Sequence, residues 1–428
     1  MPSARVGLIG LGTVGSGVAR LLRERRGEIR ARTGMDLELA AACDVRRERA
    51  RALGLPGGIF TTRARDLLRR ADLDIVVELI GGLEPACSYI LEALARGRSV
   101  VTANKHLLAE RFPRIREAAE AGGAEILFEA SVAGGIPILK ALREGLAANR
   151  IREVEGIVNG TCNYILTRMA EEGLDFKAAL ARAQAEGYAE ADPALDVEGH
   201  DSAHKLVILS TLAFHRSFRL RDVPVTGIRG VTREDIRYAG EMGYAIKLVA
   251  HGRRTGKGFE LGVRPTLLER RHPLASVAGV FNAVLVEADA AGRLMFYGRG
   301  AGQMPTASAV LADLIDAARR RGLPPAGPPR GRLDEGRIAP PEELRSRFFI
   351  RFNVADRFGV LGRIATELGR HRVSIRVVLQ KETRADGVVP VVMLTHPARE
   401  TDLRRALRRI DRFDFVREPA AFLPVAGD

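Results

Sequence analysis

The first third of the chain alternates continuous apolar runs with stretches whose apolar residues recur every three or four positions. Arg5–Gly10 carries Val6, Leu8 and Ile9 and reads as a strand buried on both faces, since a strand covered by helices on each side is apolar throughout. Val14, Val18, Leu21 and Leu22 follow at helical spacing from Thr13 to about Arg26,. The pattern then repeats. Strands are expected at Leu37–Cys43, Asp74–Ile80, Ser99–Val101 and Glu125–Phe128, and helices through Leu67 and Leu68, after Pro85, and over about Pro113–Ala121. Alternation of this kind predicts α/β architecture with a parallel, doubly wound sheet.

From Ile151 the rhythm changes. Ile151–Val158 reads as a strand, and helices are expected over Thr161–Glu172, Phe176–Glu186 and Asp201–Leu212. Strands near Ala245–Arg253, Glu260–Pro265 and Ala283–Ala288, then a helix over Thr306–Arg319, suggest a mixed α+β domain. Two proline clusters, Leu323–Pro329 and Ala339–Pro341, fall between Arg320 and Arg345. Proline fixes the backbone and removes donors, so this segment is expected to be a semi-extended linker. The remainder reads strand (Phe348–Val354), helix (Val360–Arg370), strand (Val373–Leu379), strand (Gly387–Leu394), helix (Glu400–Ile410), strand (Phe413–Arg417). The order βαββαβ predicts a ferredoxin-like sandwich. The expected division is a Rossmann-type domain at 1–135, a substrate domain at 136–304, a linker at 320–345 and a small domain at 346–428.

Composition narrows the classes. A chain of 428 residues exceeds one ordinary core,. No apolar stretch is long and uninterrupted enough to span a bilayer, and Met1–Val6 enters a strand pattern at once, so neither membrane nor signal peptide is expected,. Cys43, Cys87 and Cys162 cannot build a disulfide framework and contain no Cys-x-x-Cys pair, which favours a reducing cytoplasm. The net charge of +14 invites a nucleic-acid reading,. Yet the arginines are interleaved with acids, as in Arg23-Glu24-Arg25-Arg26, aromatics are 5% and Trp is absent. No nucleic-acid partner is expected; a basic surface draws in anionic cofactors and substrates.

Several loops carry chemistry. Gly10-Leu11-Gly12-Thr13-Val14-Gly15 follows a strand and opens a helix, the setting in which such a pattern signals a dinucleotide site. Gly10 permits the tight turn, Gly12 lets amides approach a pyrophosphate, and Gly15 allows close helix–strand packing. Asp44 ends the second strand, where a carboxylate bonds ribose hydroxyls and favours NAD. Arg46 and Arg47 follow directly and suit a 2′-phosphate, so NAD and NADP both stay open. Ile80–Pro85, with Gly81, and Thr102–His106, with Lys105, end the next strands at the edge where ligands collect,. Lys105 there can donate to the nicotinamide ribose or to a substrate oxygen; His106 is read as structural. Glu129–Pro137 is a glycine-bearing loop whose carbonyls and carboxylate suit a hard monovalent cation, or form a plain connection. Asn159–Tyr164 joins strand to helix with amides and a hydroxyl able to hold a carboxylate. Cys162, without a local base, is read as a packing residue.

The densest signal is Gly187–Lys205. It gathers Glu190, Asp192, Asp196, Glu198 and Asp201 just before the apolar run Leu206–Leu209 and ends on Lys205. Asp201 and Lys205 stand four apart and share one face of a helix. A carboxylate beside an amine is what proton transfer on a small polar substrate needs. The bland alternative is an exposed helix pair.

Together Gly10–Gly15, Thr102–His106, Glu129–Pro137, Asn159–Tyr164, Gly187–Lys205 and Gly300–Ala309 resemble homoserine dehydrogenase, over about residues 4 to 320. The last unit resembles an ACT domain, with Asp356–Leu361 as its ligand-type turn. The resemblance implies reversible NAD(P)-dependent interconversion of L-homoserine and L-aspartate 4-semialdehyde, on the route to threonine, methionine and isoleucine. It implies that Lys205 is the proton donor, held by Asp201, with Lys105 a rival acid that contacts cofactor and substrate. Glu190, with Asp196 or Asp192, would bind the substrate amino group, and Gly160 and Thr161 would lie near substrate or cofactor. Gly10, Leu11, Gly12, Thr13, Val14, Gly15, Asp44, Arg46, Gly81 and Gly302 would bind cofactor, Gly302 beside the nicotinamide. Glu129, Val132 and Gly134 would line a structural sodium site. The helix at 305–320 would pack back on the first domain, the middle domain would also dimerise, and the protein would be a homodimer or homotetramer regulated by threonine through the ACT domain. Cys43 stands directly before Asp44, where NADPH-preferring members commonly carry arginine, which leaves the cofactor undecided. Two rival classes differ in kind: a ligand sensor without chemistry, for which Lys205 one turn after Asp201 has no purpose, and a salt-sensitive RNA binder.

Overall fold

The computed structural model describes residues 3–321, 333–340, 344–380 and 387–427; the proline cluster Leu323–Pro329 lies outside them. The chain forms two compact units, one of Met1–Gly160, Asp201–Val223 and Val280–Gly336, the other of Thr161–His200, Pro224–Gly279 and Arg337–Asp428.

The first unit is built on six parallel strands: β1 (Ser3–Ile9), β2 (Asp36–Cys43), β3 (Phe60–Thr61), β4 (Ile75–Glu78), β5 (Ser99–Thr102) and β6 (Ile126–Leu127), in the order β3-β2-β1-β4-β5-β6. The central strands are apolar on both sides because helices cover both faces. Leu8, Val77, Val18, Leu22, Val310 and Leu314 pack on one face, and Ile9, Val76, Leu67, Leu68, Ile90 and Leu94 on the other. Each such side chain contributes about 1.5–3 kcal/mol by leaving water. Strand order reverses between β1 and β4, which opens a crevice at their C-terminal ends. The helix Gln303–Arg319 lies against the helix Thr13–Glu24, so closely that a Cβ on Gly17 would come within 3.1 Å of the Ala307 Cβ. Three antiparallel strands, with Phe281–Ala288 between Ile151–Ile157 and Gly292–Arg299, complete this unit.

Two differences from expectation have local causes. The helix after β5 runs Lys105–Gly122, beginning well before Pro113. Asn104 starts it, its side chain accepting from the Leu107 amide at 3.1 Å, and this cap outweighs the one donor lost at Pro113 inside. Gly292–Arg299 is a strand that drew no expectation: its run Leu294–Tyr297 lacks the alternation that marks a half-buried strand.

In the second unit six strands form one sheet in the order Tyr244–Thr255, Gly258–Glu269, Val416–Val425, Arg345–Ala355, Val388–Thr395, Ile375–Gln380. The last four, with the helices Val360–Arg370 and Glu400–Ile410, make the βαββαβ sandwich around Phe348, Ile350, Phe352, Ile364, Leu403 and Phe415. This module is stitched into its unit. Val425 pairs with Leu267 across a parallel junction, and the buried Arg351 meets Asp235 at 2.6 Å. Asp235 also closes the capping box of the helix Arg233–Glu241 with Thr232.

Candidate active site

Helix periodicity places Asp201 and Lys205 on one face of the helix His200–Phe214. Their 2.7 Å contact is buried: the Asp201 side chain is 4% exposed and that of Lys205 10%. Lys105, at the start of the helix Lys105–Gly122, reaches the other oxygen of the same carboxylate at 2.7 Å and stays 37% exposed. Asn159 donates to Asp201 Oδ2 at 2.9 Å, and Lys205 Nζ also donates to the Val158 carbonyl at 2.6 Å. Burial opposes ionisation of Asp201, but the Lys205 and Lys105 ammoniums outweigh it and hold the carboxyl below its ordinary range. Two ammoniums on one carboxylate leave a net positive centre, suited to an oxygen on which negative charge develops.

The dinucleotide-type turn lies in the same unit. Gly10 has φ +99°, and a Cβ there would meet the Leu79 carbonyl at 2.7 Å. A Cβ on Gly15 would come 1.9 Å from the Gly10 carbonyl, whereas one on Gly12 would meet only Arg49, at 3.8 Å. Gly12 therefore faces open space, the room a pyrophosphate needs, while Gly10 and Gly15 are glycine for packing. Thr13 and Val14 begin the helix whose N-terminus points into this space,. Asp44 Oδ2 accepts from the Leu11 amide at 2.7 Å and Arg49 at 3.1 Å, and Oδ1 from the Arg46 amide at 2.9 Å. Burial raises its pKa, and these donors more than reverse that, leaving it lowered. The Cys43 thiol beside it is pushed up to about 11 by burial and by Asp44, so it stays protonated. Gly81 follows β4 with φ +75°, and Gly302 precedes the helix Gln303–Arg319 with φ +116°. Gln303 Nε2 donates to Ser16 Oγ at 3.0 Å and ties that helix to the glycine turn.

Glu129 sits on a short turn after β6, its two oxygens accepting from the Leu139 and Lys140 amides at 2.8 and 2.6 Å. Its own amide donates to Asp313 at 2.8 Å. Burial raises the Glu129 pKa. Asp313, buried and next to Glu129, is pushed up to about 8. Val132 is fully buried, and Ala133 and Gly134 are both left-handed, with φ +54° and +55°.

Gly160 closes the first unit; a Cβ on it would come 2.8 Å from the Val280 carbonyl. Thr161, Glu190, Asp192 and Asp196 belong to the second unit. Thr161 Oγ1 donates to the Tyr188 carbonyl at 2.7 Å. Glu190 and Asp192 are exposed and Asp196 is half-buried. The fully buried Cys162 donates to the Asp196 carbonyl at 3.2 Å, as a packing residue does.

Four groups had drawn no role from sequence. Asn159 and the Val158 carbonyl hold the Asp201–Lys205 pair. Glu78, fully buried, accepts from the Ile80 amide at 2.8 Å and from Thr102 Oγ1 at 2.8 Å. Asn104 donates to the Gly82 carbonyl at 2.7 Å, so Glu78 and Asn104 fix the loops after β4 and β5. A lone acid ending the apolar run Ile75–Val77 was the legible signal for Glu78.

A doubly wound sheet with a glycine turn at its switch point, in one unit with a buried carboxylate that bears two lysines, defines a dinucleotide-dependent oxidoreductase. Family models agree over most of the chain: "Homoserine dehydrogenase" matches residues 137–315, "Homoserine dehydrogenase, NAD binding domain" residues 10–129, and "ACT domain" residues 348–414. The homoserine dehydrogenase of Neisseria gonorrhoeae is 44% identical over 99% of this chain and 98% of its own. The crystal structure of a homoserine dehydrogenase from Thiobacillus denitrificans superposes with a TM-score of 0.93 at 44% identity, covering 99% of this chain and 98% of that one. A hyperthermophilic archaeal homoserine dehydrogenase in complex with NADPH superposes with a TM-score of 0.64 at 26% identity, over 76% of this chain and all of that one. The chain belongs to the homoserine dehydrogenase family and carries the ACT domain at its C-terminus.

Proposed function

We propose that Lys205 and Lys105, ordered by Asp201, run the proton side of the interconversion of L-homoserine and L-aspartate 4-semialdehyde. The observation that carries this is the pair of 2.7 Å contacts bringing two ammoniums to one buried carboxylate. When bound, the reduced nicotinamide supplies hydride to the aldehyde carbon. Lys205 gives its proton to the growing alkoxide, while Lys105 stabilises the same oxygen and contacts the cofactor ribose. Asp201 aims both amines, and Asn159 with the Val158 carbonyl fixes Asp201 and Lys205. Glu190, with Asp196 or Asp192, takes the substrate amino group, and Gly160 and Thr161 border the bound pair.

The open space at Gly12 and the donors on Asp44 fit a dinucleotide held by Gly10–Gly15, Asp44, Arg46, Gly81 and Gly302. Asp44 supports NAD, and Arg46 with the nearby Arg49 supports NADP. The oxygen-only donor set of Glu129, Val132 and Gly134 fits a sodium ion. With both Glu129 carboxylate oxygens on amides, backbone carbonyls would do most of the binding. Threonine is the proposed effector of the ACT domain, and self-association to a dimer or tetramer is supported by the exposed Met295 and Tyr297 on the strand Gly292–Arg299. Buried thiols that form no disulfide suit a cytoplasmic setting,, and among the described residues no helix is long and apolar enough to cross a membrane.

Initial rates of homoserine oxidation with NAD and NADP in parallel, with and without threonine, test this reading. Lys205→Met should lower kcat by about two powers of ten or more, as for a lost general acid. Near-normal turnover in that variant would remove Lys205 from the role, and an unchanged Lys105→Met would do the same for its neighbour.

A further inference from the structure

We infer that the stacked imidazoles of His106 and His204 are positioning residues that hold the two active-site ammoniums on Asp201. The inference rests on the roles proposed for Lys105 and Lys205.

Those lysines come from different helices, Lys105–Gly122 and His200–Phe214. Each ammonium ends a flexible four-carbon stem, so their meeting on one carboxylate requires the two helices to be held at a fixed spacing and rotation. The immediate chain neighbours of the lysines supply that link. His106 follows Lys105, His204 precedes Lys205, and their rings stack with centroids 4.8 Å apart and planes 18° from parallel. His204 is 6% exposed and His106 half-buried, so the contact is shielded from competing water.

Helix geometry couples stack to site. Successive side chains point about 100° apart, so fixing the azimuth of a ring fixes the azimuth of the lysine beside it. On the second helix, His204 and Lys205 stand three and four residues after Asp201 and so lie over the same face. Two flat rings in contact resist both separation and twist of their helices, which a salt bridge between long side chains does not. The stack therefore bridges the two helices next to the Lys105–Asp201–Lys205 cluster, which bridges them as well.

The test is steady-state homoserine oxidation by the full-length protein with NAD or NADP, with lysine acetylation by acetic anhydride followed by mass spectrometry. His106→Ala should lower kcat about tenfold, as expected for a sub-ångström loss of alignment, with KM within about twofold and an unchanged melting temperature. Acetylation of Lys105 should rise several-fold as its ammonium leaves Asp201. His106→Phe, which keeps a flat ring, should restore kcat and Lys105 protection to within about twofold. Wild-type kcat and protection in His106→Ala would overturn the inference, as would a Phe variant no better than the Ala variant. If His106→Ala does not fold, His106→Asn against His106→Phe makes the same comparison, and equal rates and labelling would sink it. A wild-type protein inactive on homoserine refutes the proposed reaction instead; the labelling arm then still decides whether the rings hold Lys105.

Discussion

Replacing Asp313 by asparagine should leave stability unchanged below about pH 4 and make the protein increasingly more stable than the parent as pH rises from there toward 8,. Asp313 is 3% exposed, lies on the helix Gln303–Arg319 and accepts from the Glu129 amide. Burial and the neighbouring Glu129 carboxyl raise its pKa to about 8, whereas an unfolded carboxyl titrates near 4. The folded state therefore binds this proton more tightly than the unfolded state. The stabilisation is complete below about pH 4 and is lost progressively as pH rises to about 8. At about 1.4 kcal/mol per pH unit the window caps the loss near 6 kcal/mol. Rearrangement and water entry relax a buried charge, so about 2–3 kcal/mol is the expected reading at pH 8.5. Asparagine keeps an acceptor for the Glu129 amide and has no proton to lose. Urea unfolding of both proteins at pH 5.5, 7.0 and 8.5 follows Asp313 together with its coupling to Glu129 and Asp316, because the titrations of groups remote from it cancel in the difference. A stability difference that stays flat across that range, or a variant less stable at pH 8.5, would refute the reasoning.

Other outcomes follow from features already described. Exchanging choline chloride for sodium chloride at constant ionic strength should raise the melting temperature if Glu129, Val132 and Gly134 bind the ion, and Glu129→Gln should reduce the rise. Gly12→Val should weaken cofactor binding at least tenfold in a fluorescence titration while the fold survives, since its Cβ meets only Arg49; Gly15→Val should fail to fold, since its Cβ would collide with the Gly10 carbonyl. Arg351→Met removes the cationic partner of the buried Asp235 and should cost about 3 kcal/mol in urea unfolding. Asp44→Ser should shift the NADP-to-NAD ratio of kcat/KM toward NADP.

The parts of the molecule legible in its sequence were those set by local spacing. Apolar runs between helical periods marked the parallel sheet, and Val6, Leu8 and Val77 are buried because helices flank them on both faces. The βαββαβ order likewise marked the tail. Proximity across the chain was not legible. Asp201 and Lys205 could be paired by a four-residue step, but nothing in the spacing aims Lys105 or Asn159 at the same carboxylate. Stitching of the tail by Arg351 and by the Val425–Leu267 junction was equally hidden, since neither depends on periodicity. Cutting near Leu344 would remove strands from a shared sheet, so a truncated protein should lose stability as well as any effector response.

The return of the helix Gln303–Arg319 to the first sheet has a consequence for biosynthesis. Val310, Leu311 and Leu314 cover apolar surface contributed by the opening residues of the polypeptide. A growing chain displays that surface from the moment β6 emerges until residue 319 is made, an interval on the order of ten to forty seconds at ordinary elongation rates. Chaperones that shield nascent hydrophobic surface have their clearest target there, and slow codons between those points would lengthen the exposure.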